Sequence, residues 1–330
     1  MRSLRILLCL FLPAHVFAQQ LAQDRIVIAH GGAATYGAPL RAAGELGLWK
    51  KYRLNAVLVS IPDADKRVAA LLDGSVQLYH GGALAPVAAF LRGAGGGADL
   101  ALVAGAFNRF PWSIVTQHAI RSPADLAGKK IGIAAPGGAT ELAVRLALKE
   151  WSVPAETVTL VPIQGGVNRL IGLSTRALDA AVLAPPDTFT AGKSNFPVLA
   201  NLGELNPAVP LDVIAARRPF LEKNRAVVKR ALEAFAEAVH VLKTDGKKAA
   251  GVYLKIMGGE EEPIVAAGLY HYYAPHFSYP PRVGRAGLAL AAEWAAGRAG
   301  GARPAREVGR MIDESALDEL GREGFFKRLR

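Results

Sequence analysis

The sequence predicts an α/β protein of two doubly wound lobes, built on parallel or mixed sheets and joined by a hinge. Three observations carry that expectation. Short apolar runs of strand length alternate with helical segments from residue 25 onward. The same alternation starts afresh near residue 122. From Pro219 the pattern turns helical, with Val228, Ala231, Leu232, Phe235, Val239 and Leu242 at i, i+3/i+4 spacing. A late helical third that packs back onto the first lobe leaves the middle of the chain as an insert.

Taken in order, residues 25–30 read as a buried strand, and the glycine-rich stretch 31–37 as a loop. Residues 39–48 read as a helix, 54–61 as a strand, and 65–73 as a helix stopped by Gly74. A strand at 76–80 precedes a helix at 85–92, and 100–106 is the fourth strand. In the second series, 130–134, 157–162 and 177–183 read as strands. Helices at 140–151 and 168–173 lie between them. Further helical segments cover 264–273, 288–296 and 312–320, with 297–301 as a turn. These readings give lobe 1 as residues 19–116 plus 214–330 and lobe 2 as 117–213, with the hinge near 112–118 and 211–215.

Of 330 residues, 51% are apolar and 20% charged, which provides a sizeable core and excludes global disorder. The net charge is +11, but the basic residues form only short pairs, at 50–51, 129–130 and 247–248. That spread argues against a nucleic-acid interface. Arg2 and Arg5, an apolar run over 6–12, and the small residue Ala18 match a secretory signal peptide, cleaved after Ala18. The expected location is therefore the periplasm. Cys9 is the only cysteine, so neither a disulfide framework nor a cysteine zinc site is available.

Most motifs of chemistry are missing. Gly93 to Gly97 follows a helix and precedes a strand, the reverse of a dinucleotide fingerprint, and reads as a turn. Residues 135–140 have strand–loop–helix order but lack the Gly-Lys-Ser/Thr of a nucleotide triphosphate loop. The amides at that helix start still favour an anion. No nucleophile elbow and no zinc-protease motif occurs. His30 and His80 each end a strand and precede Gly-Gly, where open α/β sheets place ligands. They keep open a hydrolase or metal-dependent alternative.

Four stretches resemble the periplasmic substrate-binding proteins of ABC importers, of the sulfonate/nitrate/taurine and pyrimidine-precursor-binding type. They are APLRAAGELGLWKKY at 38–52, VAALLDGSV at 68–76, DLAGKKIGI at 125–133 and NRLIGLSTRALDAA at 168–181. Gln77, Arg53 and the pair Thr175 and Arg176 depart from the family pattern, the latter two where glycine is usual. The resemblance implies a bilobal periplasmic-binding-protein fold (type II). It also implies a monomer that closes on a small anionic or polar solute and delivers it to an ABC permease with its ATPase. No cofactor, metal or catalysis is implied; a sensor input domain is a further alternative. Candidate ligand contacts are Thr35, Tyr36, His80, Gly81, Phe107 and Asn108 in the first lobe. Gly138, Thr140, Gln164 and Asp187 are those of the second. For Phe107, core packing is the favoured role.

Overall fold

The computed structural model describes residues 23–32, 35–93, 99–259, 262–299 and 305–329. The signal-peptide reading of residues 1–18 lies outside them, as do most of the glycine run after Gly93 and part of the 297–301 turn. Among the described residues, no helix is long and apolar enough to cross a membrane.

The strands are β1 (Asp24–His30), β2 (Leu54–Ser60), β3 (Leu78–Gly81), β4 (Leu100–Phe107), β5 (Ser113–Thr116), β6 (Lys130–Ile133), β7 (Thr159–Pro162), β8 (Ala180–Leu183), β9 (Val198–Asn201) and β10 (Asp212–Arg217). They form two five-stranded sheets, ordered β2-β1-β3-β10-β4 and β7-β6-β8-β5-β9. Each sheet is parallel except for one strand. In the first that strand is β10, antiparallel to β3 and β4. In the second it is β5, antiparallel to β8 and β9. Both odd strands arrive directly after a crossing from the other sheet. The two lobes are thus the same five-strand plan, and each supplies the connection that completes the other. The crossings lie a few residues earlier than the 116/117 and 213/214 boundaries drawn from sequence. Ser113–Thr116 hydrogen-bonds within the second sheet, and Asp212 already pairs with Phe107 in the first.

Between the strands of the first lobe lie α1 (Ala38–Glu45), α2 (Leu48–Lys51), α3 (Ala64–Asp73) and α4 (Leu84–Arg92). The helix expected over 39–48 breaks at Gly47, whose φ of 68° ends α1 and starts α2. The second lobe holds α5 (Ala139–Glu150), α6 (Gly166–Ser174) and α7 (Asp187–Lys193). Then follow α8 (Arg218–Lys223), α9 (Arg225–Thr244), α10 (Gly246–Ile256), α11 (Pro263–Tyr273), α12 (Arg285–Ala299), α13 (Ser315–Arg322) and α14 (Phe325–Arg328). The buried face of α9 carries the whole stripe read from the sequence. The expected helix at 312–320 starts later, at Ser315, after a 3-10 segment ending at Met311. Arg53 and Arg176, standing where glycine is usual, both adopt left-handed φ, 57° and 60°.

The edge strand β4 is buried along its whole length because the C-terminal chain covers it. Ser278 N donates to Ala106 O (2.8 Å), Gly105 N to Pro281 O (2.9 Å), and Asp313 N to Leu102 O (2.9 Å). At Gly105 the covering chain comes so close that a β-carbon would sit 2.9 Å from Val283 Cα. Gly105→Ala is therefore expected to cost about 1–3 kcal/mol through overpacking. Thermal denaturation should show a lowered Tm.

Candidate functional site

A cavity of about 550 Å3 lies between the two lobes. Its first-lobe wall is Tyr36, Pro62 to Asp65, Arg67, Tyr79, Gly82, Leu84, Ala85, Ala88 and Arg92. Its second-lobe wall is the loop 134–140 and Gln164, with Trp112 and Leu211 from the crossings. Trp294, Ala295 and Arg298 of α12 close one side.

Arg67 is the electrostatic centre of this wall. Asp63 caps α3 by accepting from Lys66 N (2.9 Å), so Arg67 falls at the end of the first helical turn. It is only 6% exposed. Its Nη1 donates to Pro62 O (3.0 Å) and to Ile61 O, and its guanidinium lies 5.3 Å from the Tyr79 ring centroid. Its Nε is buried with no hydrogen-bond partner. No carboxylate among the described residues forms an ion pair with it. Arg67 is thus a buried cation of the cavity wall without a carboxylate partner among the described residues.

Tyr36, Gly138, Thr140 and Gln164, read from sequence as ligand contacts, do line the cavity. The Tyr36 ring meets Trp112 edge-on at 6.2 Å and tilts against Phe107 at 6.1 Å. Burial, with Asp212 nearby, pushes its hydroxyl up to about 12, so it is a neutral donor. Thr140 Oγ1 accepts from Ala134 N (2.9 Å), which orients the hydroxyl and leaves its O–H as a donor. The α5 start is less welcoming to anions than its position predicts. Glu141 Oε2 accepts from Gly137 N (2.6 Å), placing a carboxylate at that terminus. Burial raises the Glu141 pKa, but the Gly137 amide, Arg145 and Arg298 outweigh it and hold the group below its usual range.

The other expected contacts lie elsewhere, for identifiable reasons. Thr35 Oγ1 donates its hydrogen bond away from the cavity, with Pro185 O (2.8 Å) and Tyr273 Oη (2.9 Å) as partners. His80 is buried against Asp212, which is 0% exposed, and its ring packs edge-on against Phe235. Gly81 is held beneath the Tyr79 hydroxyl and Arg67. Phe107 packs in the core with Tyr273 and Phe277. Asn108 pins the covering chain, donating to Ser278 Oγ and Arg282 O (both 2.9 Å) and accepting from Gly284 N (2.9 Å). Asp187 fills the space left by the absent side chain of Gly166. Burial pushes its carboxyl up, partly countered by Arg169. His30, the other strand-end histidine, accepts from Gly32 N (3.2 Å) through Nδ1, and burial lowers its pKa.

Sequence reading missed Arg67, Arg298, Trp112 and Trp294. One signal for Arg67 was present. With Val68 and Leu71 it falls on the buried face of α3, where a charge is out of pattern. His80→Ala is expected to act on stability rather than on ligand contact. It leaves the buried Asp212 carboxylate unpaired, at about 3–5 kcal/mol, and a sharply lowered Tm in calorimetric scans checks this.

A protein of Brucella abortus, provisionally named a binding protein, is 27% identical over 234 residues, 69% of each chain. The periplasmic aliphatic sulphonate binding protein SsuA of Escherichia coli has a similar structure, with TM-score 0.67 and 22% identity over 83% of this chain and 91% of that one. The periplasmic nitrate-binding protein NrtA of Synechocystis gives TM-score 0.64 at 14% identity, covering 91% and 89%. The desulfurization enzyme DSZB shares the fold too, with TM-score 0.67 at 15% identity over 91% of this chain and 100% of that one. The bilobal periplasmic-binding-protein fold is therefore the fold of this chain. The family model described as NMT1/THI5 like matches residues 34–249, two thirds of the sequence, and the chain belongs to that family.

Proposed function

We propose that the protein is a periplasmic solute-binding protein that captures a small organic anion between its lobes and delivers it to an ABC permease. The observation that carries this reading is Arg67, a buried cation in the cavity wall with one N–H unpartnered. An anion seated against the guanidinium would supply the counter-charge that no described carboxylate provides. The remaining wall is mixed: Leu84, Ala85, Ala88, Ala135, Ala139 and Trp112 give apolar surface, and Asp63, Asp65, Arg92 and Arg298 add charge toward its edges. At about 550 Å3 the cavity falls in the range of small-molecule sites and far exceeds a bare inorganic anion. The relatives' names support a binding role, and those of SsuA and NrtA support an anionic ligand. Export, with cleavage between Ala18 and Gln19, and action as a monomer belong to the same reading.

An enzymatic reading is favoured only by the fold shared with DSZB. Against it, no cysteine, serine or histidine stands among the described residues lining the cavity. His30 and His80, the residues that kept that alternative open, face Gly32 and Asp212.

The test is a thermal-shift screen of alkyl and aryl sulfonates and carboxylates, nitrate and pyrimidines, followed by calorimetry on the strongest hit. A ligand at a hundred times its Kd stabilises the native state by about 2.7 kcal/mol. Arg67→Gln is expected to weaken the best organic anion about ten- to a hundred-fold, the loss of a hydrogen bond to a charged group. Equal affinity in the variant, or a screen in which only uncharged compounds bind, overturns the anion assignment.

A further inference from the structure

Helix α12 joins the two lobes at the cavity rim. It packs on α4 of the first lobe, and at its first turn Gly287 lies so close to Ala208 O that no side chain fits. Its far end reaches the start of α5 in the second lobe. Trp294 Nε1 donates to Gly137 O (2.9 Å). One turn on, Arg298 Nη1 meets Glu141 Oε1 at 3.4 Å. The Arg298 guanidinium also stacks over the Trp294 ring, 5.0 Å from its centroid, so the two side chains brace each other. Gly137 is shaped to receive them. Its φ of 75° favours glycine, and a β-carbon there would press on Arg298 Nε at 3.2 Å. Glu141 is buried and fixed by Gly137 N and by Arg145 Nε (2.7 Å), so it presents a set carboxylate oxygen to Arg298.

These interactions need the lobes together and need no ligand. We propose that Trp294 and Arg298 are positioning residues for solute capture: a clasp from the C-terminal helical region that holds the second lobe over the cavity and slows ligand release. The consequence for release rests on the solute-binding reading above. The effect on lobe position does not. The unliganded protein should already populate the closed arrangement. Removing either half of the clasp should lower the closed-to-open ratio by about two- to tenfold, the range for a single net hydrogen bond.

The experiment is a pulsed electron–electron distance measurement on the full chain without ligand. Nitroxides are placed at two exposed helix positions, one on each lobe, by Ala69→Cys and Lys149→Cys in a Cys9→Ser background. The parent is expected to give a dominant short distance. Trp294→Phe, which keeps the ring and removes the N–H, and Arg298→Ala, at an exposed side chain, should each move population to longer distances. Arg298 is exposed, so its variant tests the clasp even where Trp294→Phe lowers stability. Unchanged distributions in both variants, or a parent that is already mostly open, overturn the clasp. Because no ligand enters the measurement, failure of the anion reading leaves this result standing, and the reverse also holds.

Discussion

The buried contact between Asp212 and His80 is the constraint on which the rest of the architecture hangs. Asp212 is the first residue of β10, the point where the chain re-enters the first sheet, and it is fully buried. His80 on the neighbouring β3 is the side chain that faces it. A carboxylate at that depth is tolerable only beside a partner, so the pair fixes which residue of β10 stands beside β3. The strand then seats between β3 and β4 and closes the sheet. The incoming and outgoing crossings also grip each other. Leu211 N donates to Phe107 O (2.8 Å) at one end, and Leu202 N to Trp112 O (2.8 Å) at the other. Between those bonds the two crossings run as short paired connections, the kind of place where the proposed closure would act as a hinge.

The lobes contribute unlike chemistry to the cleft they share. The first supplies charge, in Arg67. The second supplies backbone and small side chains, in the loop 134–140, and has its own carboxylate, Glu141, engaged by the Gly137 amide and two arginines. In the proposed role, an anion would be held mainly by the first lobe and covered by the second, and binding and closure would form one linked equilibrium.

Much of the fold was legible in the sequence, and the reasons are physical. Period-2 and period-3.6 hydrophobicity is local, so the strands around Ile28 and Ile131 and the α9 stripe could be read directly. The odd strands were harder. β9 and the true start of β5 take their identity from partners far along the chain. The site was less legible still. Strand-end histidines are where ligands sit in general, but His80 is claimed by Asp212, a residue more than a hundred positions away. Thr140 and Gly138 line the cavity, and the strand–loop–helix order that singled them out is a local pattern. Trp294 and Arg298 carried no signal, since α12 approaches the cleft only through tertiary packing. Arg53 and Arg176 were visible as departures from a glycine pattern, and the structure shows that the left-handed backbone is kept while the glycine is not.

The energetics of Arg67 bear on what kind of anion suits this cleft. Were the lobes mostly open without the α12 clasp, moving them from 1:99 to 99:1 in favour of the closed form would take about 5.5 kcal/mol of differential binding. One charge-assisted hydrogen bond to the Arg67 guanidinium would supply about 1.5–3 kcal/mol. The shortfall, roughly 2.5–4 kcal/mol, corresponds at about 25 cal/mol per Å2 to some 100–160 Å2 of apolar surface removed from water. That is the area of a short alkyl or aryl body, and Leu84, Ala85, Ala88, Ala135, Ala139 and Trp112 are the walls that would cover it. A bare nitrate or sulfate has no such surface and would leave most of the cavity filled by water. The clasp of α12 lowers the requirement by holding part of the closed population in advance, so that a smaller organic body suffices. In the proposed solute-binding role, the charge would select the ligand's head group and the apolar part of the wall its body, while the clasp sets how much closure the ligand must still drive.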